Sequence, residues 1–219
     1  MTNTEFKVPL TIIFKRKDGT QDVFLRHEEL GQGGFSIVYR VTHKNTNKEY
    51  ALKVISKKFL SERGEATMNR LKNEMKIQKT LNHPNIVKSK MTFSDELNYY
   101  IALEFCPGKS VREYLKSSEH GYLLESEARK ILRDVMKGLI YLHSNNIIHN
   151  DIKLENFLIG ENGLIKIADF GLSTFFTKNE PKQSSIVGTT NYLSPEILRG
   201  KNHSFEVDIW AIGVATFFM

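Results

Sequence analysis

Ile148-His149-Asn150-Asp151-Ile152-Lys153-Leu154-Glu155-Asn156, followed by Ile167-Ala168-Asp169-Phe170-Gly171, decides how the rest of this chain is read. Within one short reach lie two carboxylates (Asp151, Asp169), one amide (Asn156) and one lysine (Lys153). Those are the chemical types that phosphoryl transfer needs. One carboxylate orients an attacking hydroxyl, a carboxylate and an amide hold magnesium ions on a nucleoside triphosphate, and a lysine balances phosphate charge. Phe157-Leu158-Ile159, the Glu161-Asn162-Gly163 turn and Leu164-Ile165-Lys166-Ile167 read as a small hairpin setting Asp151 and Asp169 across from each other. A three-residue match alone would say little; two joined motifs in this order, with a strand-like run between them, are specific.

Working outward towards the N-terminus, Glu125 to His143 reads as a long amphipathic helix with Ala128, Ile131, Leu132, Val135, Met136, Leu139 and Leu142 on one buried face, ending at Asn145-Asn146. A short helix begins at Val111. Cys106-Pro107-Gly108 breaks the strand pattern of Tyr99 to Phe105 and marks a hinge between two halves. Thr92-Phe93 is the strand before it, turning at Ser94-Asp95-Glu96. Met68, Leu71 and Met75 form a helical apolar stripe flanked by Glu74. Tyr50-Ala51-Leu52-Lys53-Val54-Ile55 is a strand with a charge inside it, costly unless Lys53 finds a partner; a lysine on the solvent face of an edge strand is the plainer alternative.

Leu30-Gly31-Gln32-Gly33-Gly34-Phe35-Ser36-Ile37-Val38 is glycine-rich, with Ser36 at the third glycine position. A dinucleotide fold would need a helix next. Alternating Phe35, Ile37, Tyr39 and Val41 favour a strand instead, so the glycines sit in a turn between strands. That turn is either an ordinary hairpin or a lid over phosphates. Upstream, residues 8–16 and Asp22 to Leu25 read as a hairpin turning at Asp18-Gly19.

The C-terminal third holds a Ser/Thr/Lys/Asn-rich loop over 172–193, long enough to suggest function. It ends at Gly188-Thr189-Thr190-Asn191-Tyr192-Leu193-Ser194-Pro195-Glu196. Residues 207–219 form an almost wholly apolar helix, expected to be buried on most sides.

With 219 residues, 40% hydrophobic and 26% charged, the chain can bury a sizeable core as one large or two small domains. No apolar run is long enough to span a bilayer, and polar residues 1–7 argue against a secretory signal. A single cysteine, Cys106, excludes an internal disulfide and a multi-cysteine metal site, and fits a reducing compartment. The net charge of +6 is scattered, so it reads as a solvated surface rather than a nucleic-acid face.

These motifs together resemble the eukaryotic protein kinase catalytic domain over about residues 24–219. Within it, Leu103-Glu104-Phe105-Cys106, Asp151-Ile152-Lys153-Leu154 and His203-Ser204-Phe205-Glu206-Val207-Asp208-Ile209-Trp210 look most like the Polo-like serine/threonine group. The resemblance implies an α+β, bilobal fold: residues 1–23 an N-terminal extension with a β-strand, 24–104 a small antiparallel β lobe with one regulatory helix, and 105–219 a mainly helical lobe that stops after its central helix. It implies ATP and Mg2+ as cofactors. Leu30, Gly31, Gln32, Gly33, Gly34, Phe35, Ser36, Val38, Ala51, Lys53, Glu74, Glu104 and Cys106 would surround the nucleotide, with Lys53 and Glu74 as an ion pair. Asp151 would orient the substrate hydroxyl, Lys153 would neutralise the transferring group, and Asn156 and Asp169 would bind magnesium. Thr189 would hydrogen-bond near Asp151 and Lys153, and Asp208 would brace the catalytic backbone. His149 would pack beside Phe170, Trp210 would be core, and Ser185 would be a regulatory site beside Ser184.

Four departures from that family stand out. Asn150 replaces the usual arginine, which implies weaker phosphate control. Thr190 stands where proline is usual, and Glu155 where Polo-like members often have glycine. The helices expected after residue 219, with an arginine partner for Glu196, are missing, so a partner or a further C-terminal region would cover the 207–219 helix. Expected partners are protein substrates, not nucleic acid or membrane. The expected location is intracellular: cytoplasm, nucleus, or centrosome and spindle. An active kinase acting in cell-cycle control and an inactive kinase-fold scaffold are the competing readings.

Overall fold

In a computed structural model, residues 8–16, 18–33, 36–177 and 188–219 are described. Contacts divide the chain into two units, residues 1–75 with 88–105, and residues 76–87 with 106–219. The class is α+β.

The first unit is a six-stranded antiparallel sheet. Its strands are β1 (Thr11–Lys15), β2 (Gln21–Gln32), β3 (Ser36–His43), β4 (Glu49–Ser56), β5 (Ser89–Ser94) and β6 (Asn98–Glu104), ordered β1-β2-β3-β4-β6-β5. Strand side chains alternate between faces, and the sequence uses both. One face stacks Phe24 on Phe93 and Phe93 on Tyr100, with ring centroids 5.8 and 4.8 Å apart, above Ile37, Val41, Leu52 and Val54. The other face puts Ile55 and Ile101 against Leu60 of α1 (Lys57–Glu62) and Leu71 of α2 (Glu65–Thr80). Ser56 caps α1, accepting from the Phe59 N–H at 3.3 Å.

The hairpin expected from residues 8–16 and 22–25 is present. Thr11 pairs with Leu25 and Lys15 with Gln21, and Val8 and Ile12 join the sheet's core. Among the described residues the unit also carries α1 beside the expected helix; the sequence reading did not find it because it is only six residues long, too short for a clear apolar period. The second strand is twelve residues long, Gln21 to Gln32, and runs past the expected end at Leu25 through bulges at 26–31.

The second unit is built on α4 (Glu125–Ser144). All seven side chains of its expected apolar face pack into the main core. Around it lie α3 (Val111–Ser117), α5 (Pro195–Leu198), α6 (Glu206–Phe217) and two small sheets, β7 (Ile147–Ile148) with β10 (Thr174–Phe175), and β8 (Phe157–Ile159) with β9 (Ile165–Ile167). Residues 76–87 belong here because they are stitched to β9. The Ile167 N–H donates to the Asn85 carbonyl at 2.9 Å, Val87 N–H to the Ile167 carbonyl at 2.9 Å, and Asn85 Nδ2 to the Ile165 carbonyl at 2.9 Å. Gly138 lets α4 approach that segment: a Cβ there would lie 2.8 Å from the Asn85 carbonyl oxygen.

Trp210 is not core. It is 47% exposed, with Ile209 at 50% and Phe217 at 87%, because they lie away from the inward face of α6. Val207, Asp208, Ala211, Ile212 and Ala215 are the residues that α6 turns inward. Glu196 is half-buried, and no cation pairs with its carboxylate among the described residues. No described helix is long and apolar enough to cross a membrane.

Candidate active site

Each unit carries its own set of site residues. In the first, antiparallel register decides which side chains share a face. Val38 pairs with Lys53, Arg40 with Ala51, Ala51 with Leu103 and Lys53 with Ile101. Paired residues and every second residue project to the same side, so Val38, Ala51 and Lys53 lie on the face that α2 covers in part. Glu74 comes from α2, beside the Met68-Leu71-Met75 stripe. Lys53 Nζ donates to Glu74 Oε1 at 2.6 Å, with the carboxylate 1% exposed. Two charges out of water in an apolar sheet require this pairing.

Beyond that face, β2 and β3 close through Gly31 opposite Val38, Gln32 opposite Ile37, and a Gly33 N–H to Ser36 carbonyl bond of 2.7 Å. Ser36 lies within β3 and has no positive φ, so a serine in place of glycine meets no backbone strain there. Gly34 and Phe35 lie outside the described residues. Leu30 is 44% exposed. Glu104 ends β6, and its Oε2 accepts from the Lys88 N–H at 3.3 Å. Cys106 opens the second unit as a buried residue.

In the second unit, Asp151, Lys153, Asn156 and Thr189 meet in one hydrogen-bonded ring. Lys153 Nζ lies 2.7 Å from Asp151 Oδ2 and donates to Thr189 Oγ1 at 2.8 Å. The Thr189 hydroxyl in turn donates to Asp151 Oδ1 at 2.7 Å. Asn156 Nδ2 donates to the Asp151 carbonyl at 2.8 Å and to Asp151 Oδ2 at 3.1 Å. Thr189 lies 38 residues beyond Asp151, so the fold and not the motif brings it in.

The backbone under Asp151 is held as firmly. Asp208, 1% exposed on α6, accepts the His149 N–H at Oδ2 and the Asn150 N–H at Oδ1, both at 2.9 Å. His149 is fully buried; its Nδ1 accepts the Asp151 N–H at 3.2 Å and its Nε2 donates to the Ala168 carbonyl at 3.1 Å. Those partners fix the Nε2–H tautomer, and the ring meets Phe170 edge-on at 5.1 Å. Tyr192 sits nearby, and burial raises its phenol above the ordinary value while its hydrogen bond to the Leu154 backbone acts the other way.

Asn156 and Asp169 come to the same end of the β8–β9 hairpin. Phe157 pairs with Ile167, and the Ala168 N–H donates to the Asn156 carbonyl at 2.9 Å. Asp169 is exposed and left-handed, with φ +60°, a backbone state that costs energy and recurs at functional sites. The donor set fits magnesium. Asn156 spends its amide hydrogens on Asp151, which leaves its Oδ1 without a hydrogen bond among the described residues. Amide and carboxylate oxygens are the ligands that Mg2+ takes alongside phosphate oxygens and water.

Ser185 and Ser184 lie outside the described residues. Sequence reasoning missed three supports of the site. His143, in the last turn of α4, has Nε2 2.9 Å from Asp208 Oδ2. Asp134 accepts the Ile165 N–H at 3.2 Å, and Asn85 holds β9. A signal existed for Asp134, a lone carboxylate between Ile131 and Val135 on an apolar helix face. None marked His143, whose partner is 65 residues away.

Comparison with known proteins agrees with this geometry. The protein kinase domain pattern matches residues 24–219. A probable serine/threonine-protein kinase PLK from Dictyostelium discoideum is 45% identical over 188 residues, covering 85% of this chain and 19% of that protein. The serine/threonine-protein kinase polo of Drosophila melanogaster is 39% identical over 190 residues, 87% of this chain and 32% of its own length. The serine/threonine-protein kinase plk-1 of Caenorhabditis elegans is 40% identical over 190 residues, 87% of this chain and 28% of its own length. The chain thus spans about a fifth to a third of the length of these curated relatives. With its domain pattern covering nearly the whole sequence, and the Asp151 ring and Lys53–Glu74 pair already in place, this chain belongs to the protein kinase family.

Proposed function

We propose that this protein is an ATP-dependent serine/threonine kinase of Polo-like type, acting on protein hydroxyls in cell-cycle control within the cell. The observation that carries the reading is the closed ring of Asp151, Thr189 and Lys153. Asp151 would accept a hydrogen bond from the substrate hydroxyl and orient its attack. The ring holds that carboxylate in one rotamer before substrate arrives, and positioning of this kind is most of what a kinase supplies. Lys153 offers a positive charge next to the same oxygens, where negative charge builds on the transferring group.

Asn156 and Asp169 would hold Mg2+, which when bound neutralises the phosphate oxygens. In the first unit, Lys53, kept in place by Glu74, would bind the α- and β-phosphates. Val38 and Ala51 offer an apolar surface for the base, with Leu30 at its margin, and the backbone at Glu104 and at Cys106 would meet the adenine edge. The backbone N–H groups of residues 31–36 would approach the phosphates, with Gly34 and Phe35 as part of that loop. The same side-chain inventory argues against the inactive-scaffold reading.

Transfer of radiolabelled phosphate from ATP to casein tests the proposal. The wild-type chain should label casein on serine and threonine, whereas Asp151→Asn and Lys53→Met should not. A folded, ATP-binding preparation that transfers nothing would favour the scaffold.

A further inference from the structure

Asn150 touches both ends of the segment that runs from Leu172 to Gly188. At one end its Nδ2 donates to the Leu172 carbonyl at 3.0 Å and to Thr174 Oγ1 at 3.2 Å. At the other, Gly188 (φ +116°) passes so close that a Cβ there would lie 2.9 Å from the Asn150 carbonyl oxygen. Its own backbone is left-handed, φ +65°, a conformation that asparagine tolerates better than longer side chains. The backbone N–H goes to Asp208. Both amide hydrogens of the side chain and its one backbone hydrogen are therefore engaged, while the buried Oδ1 has no hydrogen-bond partner among the described residues. The side chain thus spends its donors on the 172–174 segment.

What it holds is the start of a short strand. The β7–β10 sheet is two residues long on each side, Thr174 opposite Ile148 and Phe175 opposite Ile147, too short to be stable alone. Ser173 Oγ, donating to the His149 carbonyl at 3.1 Å, the Ser173 N–H, donating to the Phe170 carbonyl at 3.1 Å, and the Phe176 N–H, donating to the Asn146 carbonyl at 2.6 Å, are among the neighbouring ties. We infer that Asn150 is a positioning residue, a neutral amide clamp that fixes residues 172–174 against the backbone carrying Asp151 without any charged group. The structural part stands alone; its effect on turnover rests on the kinase reading above.

Two readouts on the full chain test it, with Asn150→Gly, which keeps φ positive and removes the donors, and Asn150→Asp, which keeps the shape and replaces donors with acceptors. Amide hydrogen exchange over 172–176 should quicken about tenfold or more in both variants, as expected for two lost hydrogen bonds, while β8 and β9 stay unchanged. Thr174→Val should give part of the effect and add little on top of Asn150→Gly. In the transfer assay kcat should fall about tenfold with the KM for ATP within about twofold. Exchange that does not change in either variant, full additivity with Thr174→Val, or a rise in ATP KM matching the loss in kcat would overturn the clamp. If exchange quickens but the wild-type chain transfers no phosphate, the clamp stands and the function proposed above falls.

Discussion

The hydroxyl of Thr189 donates to Asp151 Oδ1 at 2.7 Å while its oxygen accepts from Lys153 Nζ at 2.8 Å, so one side chain from the C-terminal end of the 172–189 stretch orders two residues of the Asp151 motif. A hydrogen bond to a charged group contributes about 1.5–3 kcal/mol. Thr189→Val keeps the volume and removes the bond, and should lower kcat by about 10- to 100-fold. Substrate titrations should show the KM for ATP nearly unchanged.

Lys53 and Glu74 are both close to fully buried, 2.6 Å apart. Lys53→Met leaves a carboxylate without its ammonium in an apolar environment. Breaking such a pair costs about 3–5 kcal/mol. Urea denaturation should show a loss of that order in Lys53→Met and partial recovery in the double variant with Glu74→Gln, where the Glu74 charge is removed as well.

Glu113 closes a capping box at the start of α3. Its Oε2 accepts from the Ser110 N–H at 3.0 Å and the Ser110 hydroxyl at 2.8 Å, and these bonds, backbone first, hold its carboxyl below the ordinary glutamate value. A carboxyl with a lowered folded-state pKa stabilises the fold above its unfolded value, and loses that contribution as pH falls through the folded one. Ser110→Ala should cost about 1 kcal/mol at neutral pH. The gap between wild type and variant should narrow in acid below the ordinary glutamate range of about 4.3. Denaturation curves at pH 7 and pH 3.5 measure both.

Phosphate on the 172–189 stretch finds no arginine next to Asp151. Asn150 stands there, uncharged, with its amide hydrogens already given to Leu172 and Thr174. Ser185→Asp should therefore change casein labelling by less than about twofold, since an added negative charge acts mainly by pairing with a cation. A large activation by this substitution, or by phosphorylation, would refute that.

Much of this was legible because periodicity and motif are local. The apolar positions of α4 repeat along the chain, and Ile131, Val135, Leu139 and Leu142 could be assigned to a core without knowing what they face. Alternation from Ile37 to Val41 announced a strand after the glycines. Trp210 shows the limit. An apolar helix pattern says that some side must be covered, but which one depends on neighbours, and Trp210 is nearly half exposed.

By itself, the sequence determined the chemical inventory and its order: Lys53, Glu74, Asp151, Lys153, Asn156 and Asp169 in strands, helices and turns of recognisable kind. Only the tertiary structure decided that Thr189 closes the ring on Asp151, that Asp208 and His143 support it from distant helices, that residues 76–87 pack with the second unit, and that Asn150 clamps Leu172 and Thr174. The reason is physical. A short-range pattern records what each residue needs, a partner or a dry surface, whereas the identity of a partner tens of residues away is set by which backbones the core brings within hydrogen-bond reach.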